Sequence, residues 1–283
     1  MADIPAETRM GAVHLSVADL DRSIAYYESA IGLSVHDRAA GRAALGTGAE
    51  DLLVLLEDPG ARPAHGYSGL YHYALLVPER ADLARWLAHA GRERVPLVGL
   101  SDHFVSEAIY LSDPDDHGIE IYWDRPREVW EGQVAERLTT QPLDVSSLIG
   151  ELRDPNEPFE RLAGGTVMGH VHLRVAQIPP TVSFYRDALG FGLMASLGSA
   201  AFLGAGGYHH HLGANIWESA GAPPAPPGFA TLKQATVVLP DAADVDRLAA
   251  RAADAGREAE PHDGGVRLRD PSGNVVVLAA EGA

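Results

Sequence analysis

Met10-Gly11-Ala12-Val13-His14-Leu15-Ser16-Val17 returns later in the chain as Met168-Gly169-His170-Val171-His172-Leu173-Arg174-Val175. Each copy leads into a helical stretch with a matching end, Ser23–Leu33 (SIAYYESAIGL) against Thr181–Phe191 (TVSFYRDALGF). A fainter pair follows. Leu70–Pro78 (LYHYALLVP) parallels Leu232–Pro240 (LKQATVVLP), and each runs into an Ala-rich helix ending at Gly91 or Gly256. Both then reach a hairpin, built on Asp113-Pro114 in one case and on Asp270-Pro271-Ser272-Gly273-Asn274 in the other. The chain therefore reads as four units, each a strand, a helix and several more strands, over 8–57, 68–124, 166–218 and 230–281. This α+β pattern falls into two halves, 8–124 and 166–281. A polar, proline-bearing linker over 125–165 divides them, and a stiff bridge, Gly221–Gly228 (GAPPAPPG), joins the last two units. Neither connecting segment is expected to carry much order of its own.

Within the second unit, Ser101–Trp123 (SDHFVSEAIYLSDPDDHGIEIYW) holds two β-branched and aromatic runs, Ala108–Leu111 and Ile119–Trp123, joined by turn residues. Side chains alternate along a strand, so Glu120 points away from the face that Ile119 and Ile121 share. A carboxylate in mid-strand is costly to bury unless a cation or a paired group meets it. A positive partner for Glu120 is expected.

At 283 residues the chain is long enough for two domains. Its net charge of −17, from 22 basic and 39 acidic residues, argues against nucleic acid and anionic membrane as partners. With no cysteine there is no disulfide, thiolate metal site or thiol nucleophile. The opening MADIPAETRM lacks the basic and apolar regions of a leader, and no run approaches a membrane span, so a cytoplasmic protein is the expectation.

The repeated HVHLRVAQI…SFYRDALGF and Asp-Pro patterns resemble the vicinal oxygen chelate superfamily, and the likeness covers nearly the whole chain. It implies four βαβββ modules paired into two cup-shaped mixed-sheet half-barrels, the glyoxalase/bleomycin-resistance/dioxygenase fold. Four units resemble the extradiol ring-cleaving dioxygenases, whose signature is matched here by His103, Ile109-Tyr110, Asp113-Pro114 and Glu120. The departures are Ser101, and Asp116 where that family usually has Gly. Gly69–His72 (GLYH), Glu120–Pro126 and Gly206–His211 (GGYHHH) are similar to bacterial catechol 2,3-dioxygenases in particular.

The resemblance implies Fe(II), with Mn(II) as an alternative, held by one His from each first strand and a Glu from a last strand, with three positions left for a catechol and O2. First-strand ligand positions hold Ala12, His72, His170 and Gln234 in units one to four. The last-strand carboxylate position holds Glu120 in unit two and Val277 in unit four. The only complete set is His72, Glu120 and His170. Units two and three are therefore expected to pair into one metal cup, within a chain or between two chains of a homo-oligomer, leaving units one and four as a metal-free companion.

By the same likeness His210 is the acid–base residue, with His209 and His211 as the alternatives one residue away. His103 and Tyr110 bond substrate oxygens. His172, His209, His211, Asn215 and Trp217 are expected at the substrate, with Tyr208–Trp217 read as a strand. Taken alone, three adjacent histidines would suit a solvated cluster, and Tyr110 a core aromatic. His14 is read as structural, and His65, His89, His117 and His262 as surface or loop residues. The expected activity opens a catechol ring beside its hydroxyls with O2 to a muconic semialdehyde. Rival readings are a hydroquinone dioxygenase, a glyoxalase-type isomerase (for which unit three offers only Glu218 as a second carboxylate) and a non-catalytic protein that sequesters aromatics or drugs.

Overall fold

A computed structural model describes residues 4–282. The first unit comprises β1 (Arg9–Val17), α1 (Leu20–Tyr26), β2 (Ser34–Ala39), β3 (Arg42–Thr47) and β4 (Glu50–Glu57), followed by a short β5 (Arg62–Pro63). The second comprises β6 (Gly69–Leu76), α2 (Arg80–Glu93), β7 (Gly99–Asp102), β8 (Ser106–Ser112) and β9 (Gly118–Asp124). The connecting segment forms α3 (Arg127–Trp130), α4 (Val134–Arg137), β10 (Gln141–Pro142) and α5 (Val145–Ile149). The third unit is β11 (Val167–Arg174), α6 (Ile178–Val182), β12 (Gly192–Ser196), β13 (Ala200–Gly204) and β14 (Leu212–Asn215), with β15 (Phe229–Ala230) after it. The fourth is β16 (Leu232–Leu239), α7 (Ala242–Asp254), β17 (Ala259–His262), β18 (Gly265–Arg269) and β19 (Val275–Ala280).

Two mixed, curled sheets result. One runs β10-β7-β8-β9-β6-β11-β14-β13-β12, and the other β17-β18-β19-β16-β1-β4-β3-β2. The first strands of units two and three, β6 and β11, lie antiparallel at the centre of the nine-stranded sheet, and β1 and β16 do the same in its companion. Each sheet thus takes one unit from each half of the chain. Apolar residues on one face of both sheets and on the helices merge into one core that includes Leu15, Tyr73, Leu75, Ile119, Ile121, Val171 and Leu173.

The central pairing is irregular in a way that shapes the other face. Register passes from His172–His72 to Leu173–Leu70, so Tyr71 is an extra residue in β6. It also passes from Met168–Leu75 to His170–Ala74, so Gly169 is extra in β11. Such bulges reset the alternation of side chains. Tyr71 and His72 both line the concave face as a result, while Leu70 and Tyr73 stay in the core. Gly169 leaves room for the Tyr122 ring and hydroxyl, into which a Cβ would run.

The helices after β1 and β11 begin earlier than the repeat suggested and widen into π-helical turns at Tyr27–Ile31 and Ser183–Ala188. The Tyr27 hydroxyl donates to Asp113 Oδ2 at 2.8 Å, and Tyr185 donates to Asp270 at 3.4 Å. Each Asp-Pro aspartate also closes its own turn. Asp113 Oδ1 accepts from the amides of Asp115 and His117, and Asp270 Oδ1 from those of Ser272 and Asn274. The motif thus ties the second unit of each half to the helix of the first.

The 125–165 segment differs from the expectation of little order. Trp130 and Val134 are buried against Val105, Ala200 and Phe202, and β10 extends the nine-stranded sheet beyond β7. Arg125 bridges Asp102 and Glu107 at 2.8 and 2.9 Å, which anchors the start of the segment. It has no hydrophobic period to read, since a few isolated anchors hold it. His89 also departs from its reading as a surface or loop residue, and His117, a loop residue as read, is buried. His89 sits on the inner face of α2, with its ring stacked on Phe159, and His117 bonds the Ser16 carbonyl at 2.9 Å.

Asp113→Ala strands two buried amides and the Tyr27 hydroxyl, so a loss of about 3 kcal/mol in urea unfolding is expected, against about 1 kcal/mol for Tyr27→Phe. A loss under about 1 kcal/mol for Asp113→Ala would remove this turn from the supports of the fold.

Candidate metal centre

β6, β9 and β11 lie side by side and bring three donors to one point. Glu120 Oε2 is 3.0 Å from His72 Nε2 and 3.1 Å from His170 Nε2, and ligand atoms of the three lie within 4.8 Å of one another. All three side chains are buried, Glu120 at 2 % exposure, and all come from a single chain. Glu120 is on the face opposite Ile119 and Ile121, which are in the core.

His170 Nε2 meets the carboxylate with hydrogen-bond geometry, whereas His72 Nε2 makes no hydrogen bond despite its 3.0 Å approach. A buried nitrogen with no bonded partner, beside a carboxylate and a second imidazole, suits a shared cation. Two neutral nitrogens and one carboxylate oxygen converging in this way are a donor set that divalent first-row ions accept. Burial alone would raise the Glu120 pKa, but the two imidazoles outweigh it and hold the carboxyl well below its usual range. Burial lowers the His170 pKa, with Glu120 partly opposing. The residues present therefore fit a divalent ion of two-nitrogen, one-carboxylate preference. At the equivalent positions of the companion sheet stand Ala12, Gln234 and Val277. There Gln234 bonds His262 Nε2 at 3.0 Å instead, and His14, whose pKa burial lowers to about 4 with help from Arg42 and His262, faces Gln234 across the strands.

The three donors lie at the floor of a cavity of about 680 Å³. Its wall includes His103, Tyr110, His172, Phe202, His210 and Trp217. The Thr139 carbonyl, 2.7 Å from His103 Nδ1, can only accept, so the ring proton sits on Nδ1. His103 Nε2 then accepts from the Tyr110 hydroxyl at 2.8 Å. Burial, reinforced by Glu120, keeps Tyr110 protonated far above its ordinary value. The His210 ring lies 4.2 Å from that of His170, and burial followed by the neighbouring His170 and His209 pushes its pKa well down. His172, over which Gly213 leaves room that a Cβ would fill at 2.8 Å, is likewise held neutral by burial.

Other expected substrate residues do not line the cavity. Tyr208–His211 is an irregular turn rather than a strand, and β14 starts only at Leu212. His209 is directed at Asp124, and His211 Nδ1 accepts the Ala205 amide at 3.1 Å. Asn215 is buried, with its Oδ1 taken by the Trp217 amide. The sequence reading missed Tyr71, displaced onto the cavity by its bulge. It also missed Leu138, Thr139 and Thr140, wall residues from the connecting segment, and Asp124 behind His209. Of these, only Asp124 carried a signal, as the acid that ends the Glu120 strand.

Burial and then His209 lower the His211 pKa to about 3, while an unfolded imidazole titrates near 6.5. The unfolded chain binds the extra proton first, so this contribution is complete above about pH 6.5 and fades as pH falls toward about 3. At pH 5 about 2 kcal/mol is expected to be lost through His211. Urea unfolding from pH 7 to pH 5 checks this, and His211→Gln is expected to flatten the slope.

Residues 9–121 and 167–278 each match the profile of the Glyoxalase/Bleomycin resistance protein/Dioxygenase superfamily. A Bacillus subtilis (strain 168) protein named catechol-2,3-dioxygenase is 39% identical over 280 residues, 96% of each chain. Among solved structures, a protein of Bacillus subtilis subsp. subtilis str. 168 superposes with a TM-score of 0.67 at 14% identity, over 97% of this chain and 86% of that one. Glyoxalase I from Zea mays does so at 0.59 and 18%, over 97% and 92%. These two likenesses bear on the fold alone. No helix among the described residues is long and apolar enough to cross a membrane. The chain belongs to the Glyoxalase/Bleomycin resistance protein/Dioxygenase superfamily, and within it is catechol-dioxygenase-like.

Proposed function

We propose that this protein is an extradiol dioxygenase that opens catechol or a substituted catechol beside its hydroxyls with O2, yielding a muconic semialdehyde. The observation that carries the reading is the convergence of His72, Glu120 and His170 at the floor of an aromatic-walled cavity, with His210, Tyr110 and His103 around them. The 39% identical relative named for this reaction supports it.

The three donors would hold Fe(II), for which Mn(II) is the alternative that the same donors accept. A bound ion would supply Lewis acidity toward the diol and a redox link between the diol and O2. The protein's own groups do the rest. His210, kept neutral by burial, accepts a hydroxyl proton from the diol and can later return it. Tyr110, whose one proton goes to His103 Nε2, presents its hydroxyl oxygen to accept from a diol hydroxyl and so orients the ring. Tyr71, Phe202 and Trp217 offer rings beside which the aromatic substrate lies. The metal group includes no second carboxylate, and Glu218 is paired with Arg174 at 3.4 Å, which leaves the isomerase reading without a fourth ligand.

Anaerobic incubation with catechol followed by O2 is expected to give a yellow ring-opened product, together with about one equivalent of iron by metal analysis. Glu120→Gln and His170→Ala are expected to lose the metal and at least about 100-fold in turnover. Protein that binds catechols but neither holds metal nor consumes O2 would overturn the reading in favour of sequestration.

A further inference from the structure

Behind the cavity wall lies a hydrogen-bonded chain that the reaction as described does not use. The Tyr122 and Tyr208 hydroxyls are 2.9 Å apart, and Tyr208 donates to Asp124 Oδ2 at 2.7 Å. The other Asp124 oxygen, Oδ1, is 2.8 Å from His209 Nε2. His209 Nδ1 is in turn 2.8 Å from His210 Nδ1. His209 is fully buried, packed between the rings of Trp130, Tyr122 and His210.

We propose that Asp124 and His209 are positioning residues that fix the tautomer of His210, so that it presents a bare, proton-accepting Nε2 to the cavity. The inference rests on the proposed role of His210, and its logic is that of donors and acceptors. A carboxylate only accepts, and Asp124 already takes the Tyr208 proton on one oxygen, so His209 must offer N–H from Nε2 to the other. A singly protonated His209 then has a lone pair on Nδ1. Two facing ring nitrogens need one proton between them, so His210 must supply it from its own Nδ1. The only His210 nitrogen left for the cavity, Nε2, carries a lone pair. Without the chain either tautomer would do, and the one with Nε2–H could not accept the diol's proton. Setting a ring nitrogen through a partner on the other one is how a supporting acid governs a base that it never touches. The proposal concerns which nitrogen holds the one ring proton, not the pH at which a second arrives.

The test reads the tautomer directly. Full-length protein labelled with 15N-histidine and loaded with diamagnetic Zn(II) is studied by long-range 1H–15N correlation, about two pH units above the ordinary imidazole pKa. The His210 signals are those missing from His210→Gln. The expected spectrum has a pyrrole-type Nδ1 and a pyridine-type Nε2 for His210, and the reverse assignment overturns the proposal. In Asp124→Leu the two nitrogens are expected to average between tautomers, with kcat down about 10–100-fold and KM little changed. Asp124→Asn keeps an acceptor for His209 and is expected to restore the single tautomer and most of the turnover. An Asp124→Leu spectrum identical to wild type also overturns it. The wild-type reading depends on no variant beyond the His210→Gln protein used for assignment. A bare Nε2 in a protein that opens no catechol ring would sink the proposed function and leave this inference standing, and ring opening with a protonated Nε2 would do the opposite.

Discussion

A carboxylate at 2 % exposure in the middle of a strand is the constraint on which the rest of the structure turns. Glu120 cannot sit in an apolar sheet as an anion unless positive charge or strong donors reach it. The sheet supplies them from two strands on one flank of β9, His72 on the neighbouring β6 and His170 one strand further on. That arrangement needs β6 and β11 to be partners, and so needs the sheet to cross from one half of the chain to the other. It also needs the bulges that turn Tyr71 and His72 together onto the concave face. The companion sheet has the same strand order about its centre, but with Val277 in place of the acid it has no charge to answer, and an amide and two imidazoles bond one another there instead.

The repeat made the architecture legible. Met10–Val17 against Met168–Val175, and the paired Asp-Pro turns, carried the four-unit α+β reading because strand periodicity and turn chemistry are local properties. The residues that converge on Glu120 were legible through the family likeness, which implied the ligand positions; the residues alone showed a mid-strand acid in need of a partner. What was hidden depends on contacts that no local pattern encodes. Tyr71 reaches the cavity only through a bulge set by the partner strand. Thr139 does so because a proline-spaced connector happens to be pinned by Trp130 and Arg125. His209 and His211 were read by alternation along a strand, and the backbone there is a turn, so the alternation rule had nothing to act on.

The Asp-Pro motif shows how a signature can be structural and still serve chemistry. Asp113 touches no cavity atom; it closes the turn and takes the Tyr27 proton. That turn fixes where β9 begins, at Gly118 next to His72, and hence the register that places Glu120 two residues on. The counterpart at Asp270 performs the same closure in a sheet that lacks the His–Glu–His group. The turn is thus a requirement of the module, and the donors are an addition that one of the two sheets has kept.

The pairing of β1 with β16 has a further consequence during synthesis. The Ser16 amide bonds the Thr231 carbonyl, a contact between residues 215 apart, so β1 must wait for a partner made much later. Until then the β1 edge is bare while the nine-stranded sheet can already close. The β1 edge is therefore exposed while the residues between β1 and β16 are made, and that is where a chaperone or an aggregating neighbour would find it.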